Sequence, residues 1–195
     1  HLSQDINMTH AFKTGMDIHT MTASLVFNVA PEDVTAELRK RAKAVNFGIV
    51  YGIGDFSLGK DLHISKAEAK EYINSYFATY PQIHEYIQHL ISEARMTGYA
   101  KTMLGRIRYI PELREKNKMR QAFGERAAMN SPIQGTAADI IKIAMINVYN
   151  ELKKKNLKSK IVLQIHDELL IETLLEEKEE VREILKTAME SAAKL

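Results

Sequence analysis

The chain of 195 residues contains no cysteine, and it has only four prolines and nine glycines. The lack of cysteine excludes disulfide bonds and thiolate metal sites, and it is compatible with a reducing cytoplasm. No apolar run is long enough to cross a bilayer as a helix. Hydrophobic residues make up 45% of the chain and charged residues 27%, which is typical of a globular protein of one large or two small domains.

The net charge is only +2, but charge is unevenly distributed along the chain. The segment 95–126 contains nine basic and three acidic residues, whereas the segment 167–195 contains four basic and nine acidic residues. A basic segment followed by an acidic one is compatible with a polyanion that lies along one surface. Charge alone favours the simpler interpretation, which is an ordinary solvated face.

Helical patterns dominate the sequence, so we predict an α+β fold that is mostly helical. Residues that can cap or begin helices are Asp5, Asp17, Thr35, Ser65 and Pro81. The helices that follow them are predicted to end near residues 15, 28, 51, 80 and 98. Two further helices are predicted over 117–130 and 136–155, with an interruption at Pro132 and Gly135. A last helix is predicted over 177–194, with an apolar stripe that should cover a sheet.

Two β-hairpins are predicted between these helices. Residues 99–103 and 107–110 flank a Leu-Gly-Arg turn and form the first one. Residues 161–165 and 169–172 are rich in β-formers and form the second, which carries His166, Asp167 and Glu168 at its turn. Because a two-stranded hairpin is marginally stable alone, we expect an incomplete sheet and a chain that is a piece of a longer protein.

The predicted helix after Thr35 carries two cations followed by two aromatic rings. Its residues Arg39, Lys43, Phe47 and Tyr51 are four positions apart, and residues at i and i+4 lie on one helix face. At about 1.5 Å of rise per residue this stripe is roughly 18 Å long, which suits phosphates at one end and a base and sugar at the other. An amphipathic core helix with a basic flank would have the same spacing.

Adjacent acids lie at the turn of the second hairpin, between apolar arms formed by Ile161, Leu163 and Ile165 against Leu169 and Ile171. Neighbouring strand residues point to opposite faces, so we predict that Asp167 binds a metal while Glu168 assists at the edge or through water. Carboxylates on a stiff loop suit Mg²⁺, which takes one or two of them together with substrate phosphates. Acids are common in turns, so this pair alone would more often mark an ordinary hairpin.

Five motifs, in order and over essentially the whole chain, resemble those of family A DNA polymerases. The string from Arg39 to Gly52 is similar to the family's fingers-helix motif, and the string from Gln164 to Glu168 is similar to its palm carboxylate motif. The other three are Asp17-Ile18-His19-Thr20, Gly105-Arg106-x-Arg108-Tyr109-Ile110-Pro111 and Glu125-Arg126-x-x-x-Asn130-x-Pro132-x-Gln134-Gly135-Thr136-Ala137-Ala138-Asp139. The resemblance implies template-directed transfer of a dNTP to a primer 3′-hydroxyl, in a bacterial, cytoplasmic and nucleoid-associated protein.

The resemblance also implies roles for individual residues. The triphosphate would be held by His19, Arg39 and Lys43. Lys43 would also protonate or neutralise the leaving pyrophosphate, Phe47 would pack on the sugar and base, and Tyr51 would guard the template-base pocket. Asp167 and Glu168 would bind catalytic Mg²⁺, two ions in the intact enzyme. The primer–template DNA would be lined by Gly52, Arg126, Asn130, Gln134 and His166.

By the same resemblance, residues 1–16 form a palm–fingers junction, residues 17–115 a fingers subdomain and residues 116–195 a partial palm subdomain. The partners would be primer–template DNA and dNTP, without a membrane and without an obligate protein partner. Family members carry a further metal-binding aspartate, in an Asp-Tyr-Ser type of motif, before the point where this chain begins.

Without that aspartate, one carboxylate pair would have to hold two divalent ions against open water. We therefore expect a polypeptide of residues 1–195 alone to be inactive in nucleotidyl transfer. Template-directed nucleotide addition by the purified polypeptide, free of host polymerase, would contradict this expectation.

Two functions of other classes stay open. A non-catalytic nucleic-acid-binding module would use the basic segment alone, and its DNA binding would be indifferent to Asp167→Ala and to Mg²⁺. A metallohydrolase site at His166, Asp167 and Glu168 would release phosphate from a nucleotide without any primer. Zinc sites usually have more ligands, and no other histidine is at helical ligand spacing from this turn.

Overall fold

The computed structural model describes all 195 residues, which divide into two compact units. The first unit comprises His1–Ala100 and Ile107–Asn130, and the second comprises Lys101–Arg106 and Ser131–Leu195. No helix of the chain has both the length and the apolar character that a membrane-spanning helix needs.

The prediction of a mostly helical α+β fold is confirmed. Eight helices and four strands follow in this order: α1 (Ile6–Lys13), α2 (Ile18–Phe27), α3 (Ala36–Val50), α4 (Asp55–Leu62), α5 (Lys66–Thr79), α6 (Pro81–Thr97), β1 (Tyr99–Lys101), β2 (Ile107–Tyr109), α7 (Lys118–Lys154), β3 (Lys160–Ile165), β4 (Glu168–Glu172) and α8 (Lys178–Glu190). Short 3₁₀ turns cover Pro31–Asp33, Pro111–Arg114 and Leu175–Glu177. The strands form two separate two-stranded sheets, β1 with β2 and β3 with β4.

The predicted caps begin the helices as expected. A side-chain oxygen accepts a hydrogen bond from the backbone N–H three residues later at Asp5, Asp17, Thr35 and Ser65. The Ser65–Glu68 capping box is only half formed, because the Glu68 carboxylate accepts instead from the Tyr72 hydroxyl at 2.8 Å. These caps satisfy N–H groups that a helix leaves without partners in its first turn.

The predicted break at Pro132 is wrong, because α7 is one continuous helix of 37 residues. Proline lacks an N–H and costs roughly 3 kcal/mol inside a helix. Pro132 is buried within the helix. Its carbonyl accepts a hydrogen bond from the buried Thr136 hydroxyl at 2.5 Å. Burial of this segment offsets the cost of the missing backbone bond. The division between the two units falls within this helix, after Asn130.

The core of the first unit fixes the orientation of α3. Its main buried residues are Val26, Val45, Ile49, Leu58, Ala69, Tyr76, Tyr80 and Ile87. Val45 and Ile49 bring one face of α3 into this core, together with Ala42 and Asn46. The opposite face of α3 is thereby left at the surface.

The core of the second unit holds the β3–β4 hairpin against two helices. It is built from Ile141, Val148, Leu152, Leu169, Val181, Ile184 and Ala188. The predicted apolar stripe on the last helix therefore does cover a sheet, although α8 ends at Glu190 rather than at residue 194. The pairing of the hairpin is irregular between Ile161 and Leu163. Leu163 and Ile165 are 51% and 43% exposed as a result.

Glu177 anchors the start of β3. Its carboxylate accepts from the backbone N–H groups of Lys158 and Ser159, each at 2.9 Å, and from the Ser159 hydroxyl at 2.5 Å. The bond from the Lys158 N–H and then the bond from the Ser159 hydroxyl are the main causes that hold the pKa of Glu177 below its ordinary value. A carboxyl whose pKa is lower in the folded state adds stability above its unfolded pKa, and this stability is lost as the pH falls through the folded pKa.

We therefore expect Glu177→Gln to lower the thermal midpoint at pH 7, and the difference from the wild type to shrink when the pH falls below about 4.3. Denaturation followed by circular dichroism at pH 7 and pH 3 measures both. The matched control is Glu176→Gln, because the Glu176 carboxylate is exposed and forms no hydrogen bond. An equal effect of the two variants at pH 7 would contradict the anchoring role.

Candidate functional site

The first three residues of the cation–aromatic stripe lie on the exposed face of α3, and Tyr51 is the C-cap residue that follows the helix. Arg39, Lys43, Phe47 and Tyr51 are all exposed, and the two aromatic side chains are each 49% exposed. The Lys43 Nζ atom is 5.8 Å from the centroid of the Phe47 ring, which places the cation over an aromatic face. Rings of this size held at the surface by a packed helix are available to a flat ligand such as a nucleobase.

His19 on α2 lies beside this stripe. Its ring centroid is 5.9 Å from that of Phe47, and its Nδ1 atom is 2.9 Å from Asn46 Nδ2. Burial is the largest cause that lowers the pKa of His19, and the positive charges of Arg39 and Lys43 add to it while Asp17 opposes it. The imidazole is therefore neutral near pH 7 and can donate or accept a hydrogen bond.

Arg39 is already engaged with an anion of its own chain. Its Nε donates to Asp17 Oδ1 at 3.1 Å and its Nη2 donates to Asp17 Oδ2 at 2.6 Å. Asp17 also caps α2 by accepting from the Thr20 N–H at 2.7 Å. The bonds from Arg39 and then the bond from Thr20 hold the pKa of Asp17 well below its usual range. A phosphate that binds Arg39 must therefore share this guanidinium with Asp17 or displace Asp17 from it.

Gly52 follows the stripe and adopts a φ of +70°. A Cβ atom there would lie 2.8 Å from Arg126 Cγ and 3.1 Å from Met129 Sδ, so the groups that approach Gly52 closely are side chains of α7. A cavity of about 550 Å³ adjoins this turn and is lined by Phe47, Tyr51, Gly52, Asp61 and Arg126, among others. Its volume is in the range of small-molecule sites.

The second unit carries the acidic turn. His166 and Asp167 form the two-residue connection between β3 and β4, and His166 adopts a φ of +50°. Asp167 and Glu168 are exposed, and neither carboxylate forms a hydrogen bond or an ion pair. The chain contains no group of three or more His, Cys, Asp or Glu residues that could hold a metal ion. The turn therefore offers two uncommitted carboxylates and no complete set of protein ligands.

The predicted site residues thus divide between the units. The first unit contains His19, Arg39, Lys43, Phe47, Tyr51, Gly52, Arg126 and Asn130. The second contains Gln134, His166, Asp167 and Glu168. Arg126 and Gln134 are exposed, whereas Asn130 is half-buried and its Oδ1 atom is buried without a hydrogen-bond donor. A buried amide oxygen that accepts no hydrogen bond lowers the stability of the fold by roughly 1–3 kcal/mol.

The family model described as DNA polymerase family A matches residues 1–195. The DNA polymerase I of Caldicellulosiruptor bescii is 53% identical over 195 residues, which are 100% of this chain and 23% of that protein. The chain belongs to DNA polymerase family A. The DNA polymerase I of Geobacillus stearothermophilus is 47% identical over 195 residues, which are 100% of this chain and 22% of that protein. The family A chain thus spans less than a quarter of the length of these curated relatives.

The fold of this family A chain also matches a solved structure. The POL domain of Pol1 from M. smegmatis, in complex with a DNA primer-template and dNTP, aligns with a TM-score of 0.94 and 44% identity. The match covers 100% of this chain and 34% of that one.

Sequence reasoning missed several contacts around the family A motifs. Arg106 of the first hairpin donates from Nε to Asp139 Oδ1 at 2.7 Å and from Nη2 to the Gly135 carbonyl at 2.8 Å. A Cβ atom at Gly135 would lie 2.5 Å from Thr102 Cγ2, so glycine lets the hairpin approach α7 closely. Arg106 and Asp139 belong to two separate sequence motifs. Their opposite charges were the only feature of the sequence that could have predicted the ion pair between them.

Proposed function

We propose that these residues form part of a DNA-directed DNA polymerase, a DNA polymerase I that transfers nucleotides from dNTPs to a primer 3′-hydroxyl. The main support is the exposed stripe on α3, because a family A chain keeps two cations and two aromatic rings at the surface beside a cavity. We further propose that residues 17–115 are a fingers subdomain, residues 116–195 part of a palm, and residues 1–16 their junction.

The incoming dNTP would bind along the stripe. Arg39 and Lys43 supply positive charge for the triphosphate, and the neutral His19 supplies a hydrogen bond. Phe47 offers an exposed ring face to the sugar and base, and Tyr51 adjoins the cavity in which a template base would lie. As pyrophosphate leaves, Lys43 would neutralise the charge that develops on it.

The acidic turn would bind Mg²⁺. Asp167 and Glu168 fit this ion because both are exposed and uncommitted hard-oxygen ligands, and Mg²⁺ takes one or two carboxylates and completes its shell with phosphates and water. When bound, Mg²⁺ at this turn would supply positive charge to the attacking hydroxyl and to the leaving group. Asp167 would be the principal ligand, with Glu168 at its side.

The primer–template would be contacted by polar side chains around α7 and at the turn. We assign this role to Arg126, Asn130, Gln134 and His166, and to the backbone of Gly52. Arg126 supports it most, because its exposed guanidinium can donate to acceptors in the minor groove. Contacts of this kind in the minor groove check the shape of a base pair with little dependence on its sequence, because the acceptors there are nearly the same for every pair.

Single-nucleotide extension by the full-length protein tests the proposed function. We expect the dNTP that is complementary to the templating base to be added, and EDTA to abolish the addition. Tight binding of primer–template without any addition would instead favour the non-catalytic module. Release of phosphate from a dNTP without a primer would favour the metallohydrolase. A known polymerase assayed on the same substrate is the positive control.

A further inference from the structure

A buried chain of hydrogen bonds connects the core of the first unit to His19. The side chain of Asn46 is buried, and its Nδ2 atom is 2.9 Å from His19 Nδ1 while its Oδ1 atom is 3.2 Å from Thr22 Oγ1. Thr22 Oγ1 is in turn 3.1 Å from the Tyr80 hydroxyl. Thr22 and Tyr80 are both fully buried. No motif of the sequence had singled out Asn46, Thr22 or Tyr80.

The burial of Tyr80 fixes the direction of this chain, because each hydroxyl has one proton to donate. The Tyr80 hydroxyl has no other hydrogen-bond partner, so its proton goes to Thr22 Oγ1. Thr22 then donates its own proton to Asn46 Oδ1, which turns Asn46 Nδ2 towards His19. The reverse direction would leave the buried proton of Tyr80 without an acceptor, which is unfavourable.

The direction of the chain determines which nitrogen of His19 carries the proton. His19 Nδ1 faces a donor and is therefore an acceptor, so a neutral imidazole must carry its proton on Nε2. The groups with charge that act on this ring are Asp17 from the cap of α2 and Arg39 and Lys43 from α3. Protonation of Nδ1 would require the Asn46 amide to turn and break its bond with Thr22.

We propose that Asn46 is a positioning residue that holds His19 as the Nε2–H tautomer. The ring then presents a donor, and no acceptor, to the phosphates of the incoming nucleotide. In the other tautomer, the Nε2 lone pair would face phosphate oxygens and repel them. Thr22 and Tyr80 act through Asn46 by fixing its amide. The inference rests on the proposed function, in which His19 binds the triphosphate.

The test is the dNTP concentration dependence of single-nucleotide addition by the full-length protein. Asn46→Leu keeps a similar volume but removes the donor, so the KM for dNTP should rise roughly tenfold while kcat stays within about threefold. In Asn46→Asp the carboxylate still accepts from Thr22, but its other oxygen now faces His19 Nδ1 as an acceptor. This favours a His19 ring with a proton on Nδ1, which is either the Nδ1–H tautomer or the imidazolium. The KM of this variant should rise with pH as the imidazolium loses its proton, whereas the wild type should show no such titration above about pH 6.5.

The same substitutions in a His19→Gln background separate positioning from a structural role. If Asn46 acts through His19, Asn46→Leu should change the KM by less than about twofold there, and the pH dependence of Asn46→Asp should disappear. Equal effects with and without His19 would overturn the proposal. A wild-type protein that adds no nucleotide would instead overturn the proposed function.

Variants at Thr22 decide the question if those at Asn46 do not fold. Thr22→Val is nearly isosteric but releases the Asn46 amide, so it should raise the KM for dNTP. Thr22→Ser keeps the hydroxyl and should retain the wild-type KM. The same KM for both variants would overturn the proposal.

Discussion

Asp167→Asn in the full-length protein should lower kcat for nucleotide addition by roughly 10³-fold or more, because a bound metal ion contributes several kcal/mol of transition-state stabilisation. Asparagine keeps the size of the side chain at the turn but removes the negative charge that would hold Mg²⁺. The carboxylate is exposed and forms no hydrogen bond or ion pair, so its loss should not change the stability of the hairpin. Affinity for the primer–template should stay within about threefold, since phosphate contacts elsewhere supply most of it.

The measurement is single-turnover addition of one dNTP, with DNA binding followed separately by fluorescence anisotropy. Glu172→Gln is the matched control, because Glu172 is an exposed acid at the other end of β4. In the strand register it lies opposite Lys160 of β3. The control should keep wild-type kcat. Full activity of Asp167→Asn, or an equal loss in Glu172→Gln, would contradict a metal-binding role for Asp167.

Lys43→Gln should lower kcat/KM for dNTP by roughly 10²–10³-fold, the range found when one group that stabilises developing charge is removed. Most of the loss should be in kcat if Lys43 neutralises the leaving pyrophosphate, because that interaction strengthens only as the bond breaks. A rise in KM with unchanged kcat would mean that Lys43 binds the triphosphate without assisting its departure.

The control for Lys43→Gln is Lys70→Gln. Lys70 is exposed on α5, forms no ion pair, and its replacement changes the net charge by the same amount. It should keep kcat/KM within about twofold. An equal loss in both variants would show that the effect comes from the overall charge of the protein rather than from the stripe.

The helix ends and the stripe could be predicted because they depend on local chemistry. Asp5, Asp17, Thr35 and Ser65 cap helices with their own side chains, and such caps are visible in sequence. The shared face of residues four apart follows from helix geometry alone. α4 was missed because its N-cap is Gly54, which provides no capping side chain, and because a further glycine lies inside it. The full burial of Leu58 supplies the stability that the local pattern lacks.

Two other features that the local pattern does not reveal depend on tertiary contacts. Pro132 signals a helix break locally, but the burial of this segment outweighs that signal and α7 stays continuous. The irregular pairing after Ile161 changes which side chains of β3 face the core, and strand alternation alone could not reveal it. In both cases, packing or pairing with distant residues decides the structure, and a local sequence pattern does not contain that information.

Partners within the candidate site were equally hidden. Asp17 was visible as a helix cap, but its pairing with Arg39 depends on the packing of α2 against α3. Asn46 lies one position before Phe47, and only its burial indicates a role different from that of its exposed neighbour. Residue types alone therefore suggest a ligand class but do not reveal the contacts that orient each group.

The most direct test of the nucleotide site on α3 is photo-crosslinking of an azido-dATP to the full-length protein with bound primer–template. With thymine as the templating base, we predict an adduct in the peptide that contains Phe47 and Tyr51, and competition by unlabelled dATP. The adduct should decrease strongly when the templating base is changed to adenine. A crosslink confined to other peptides, or one in α3 that is indifferent to the templating base, would contradict the account.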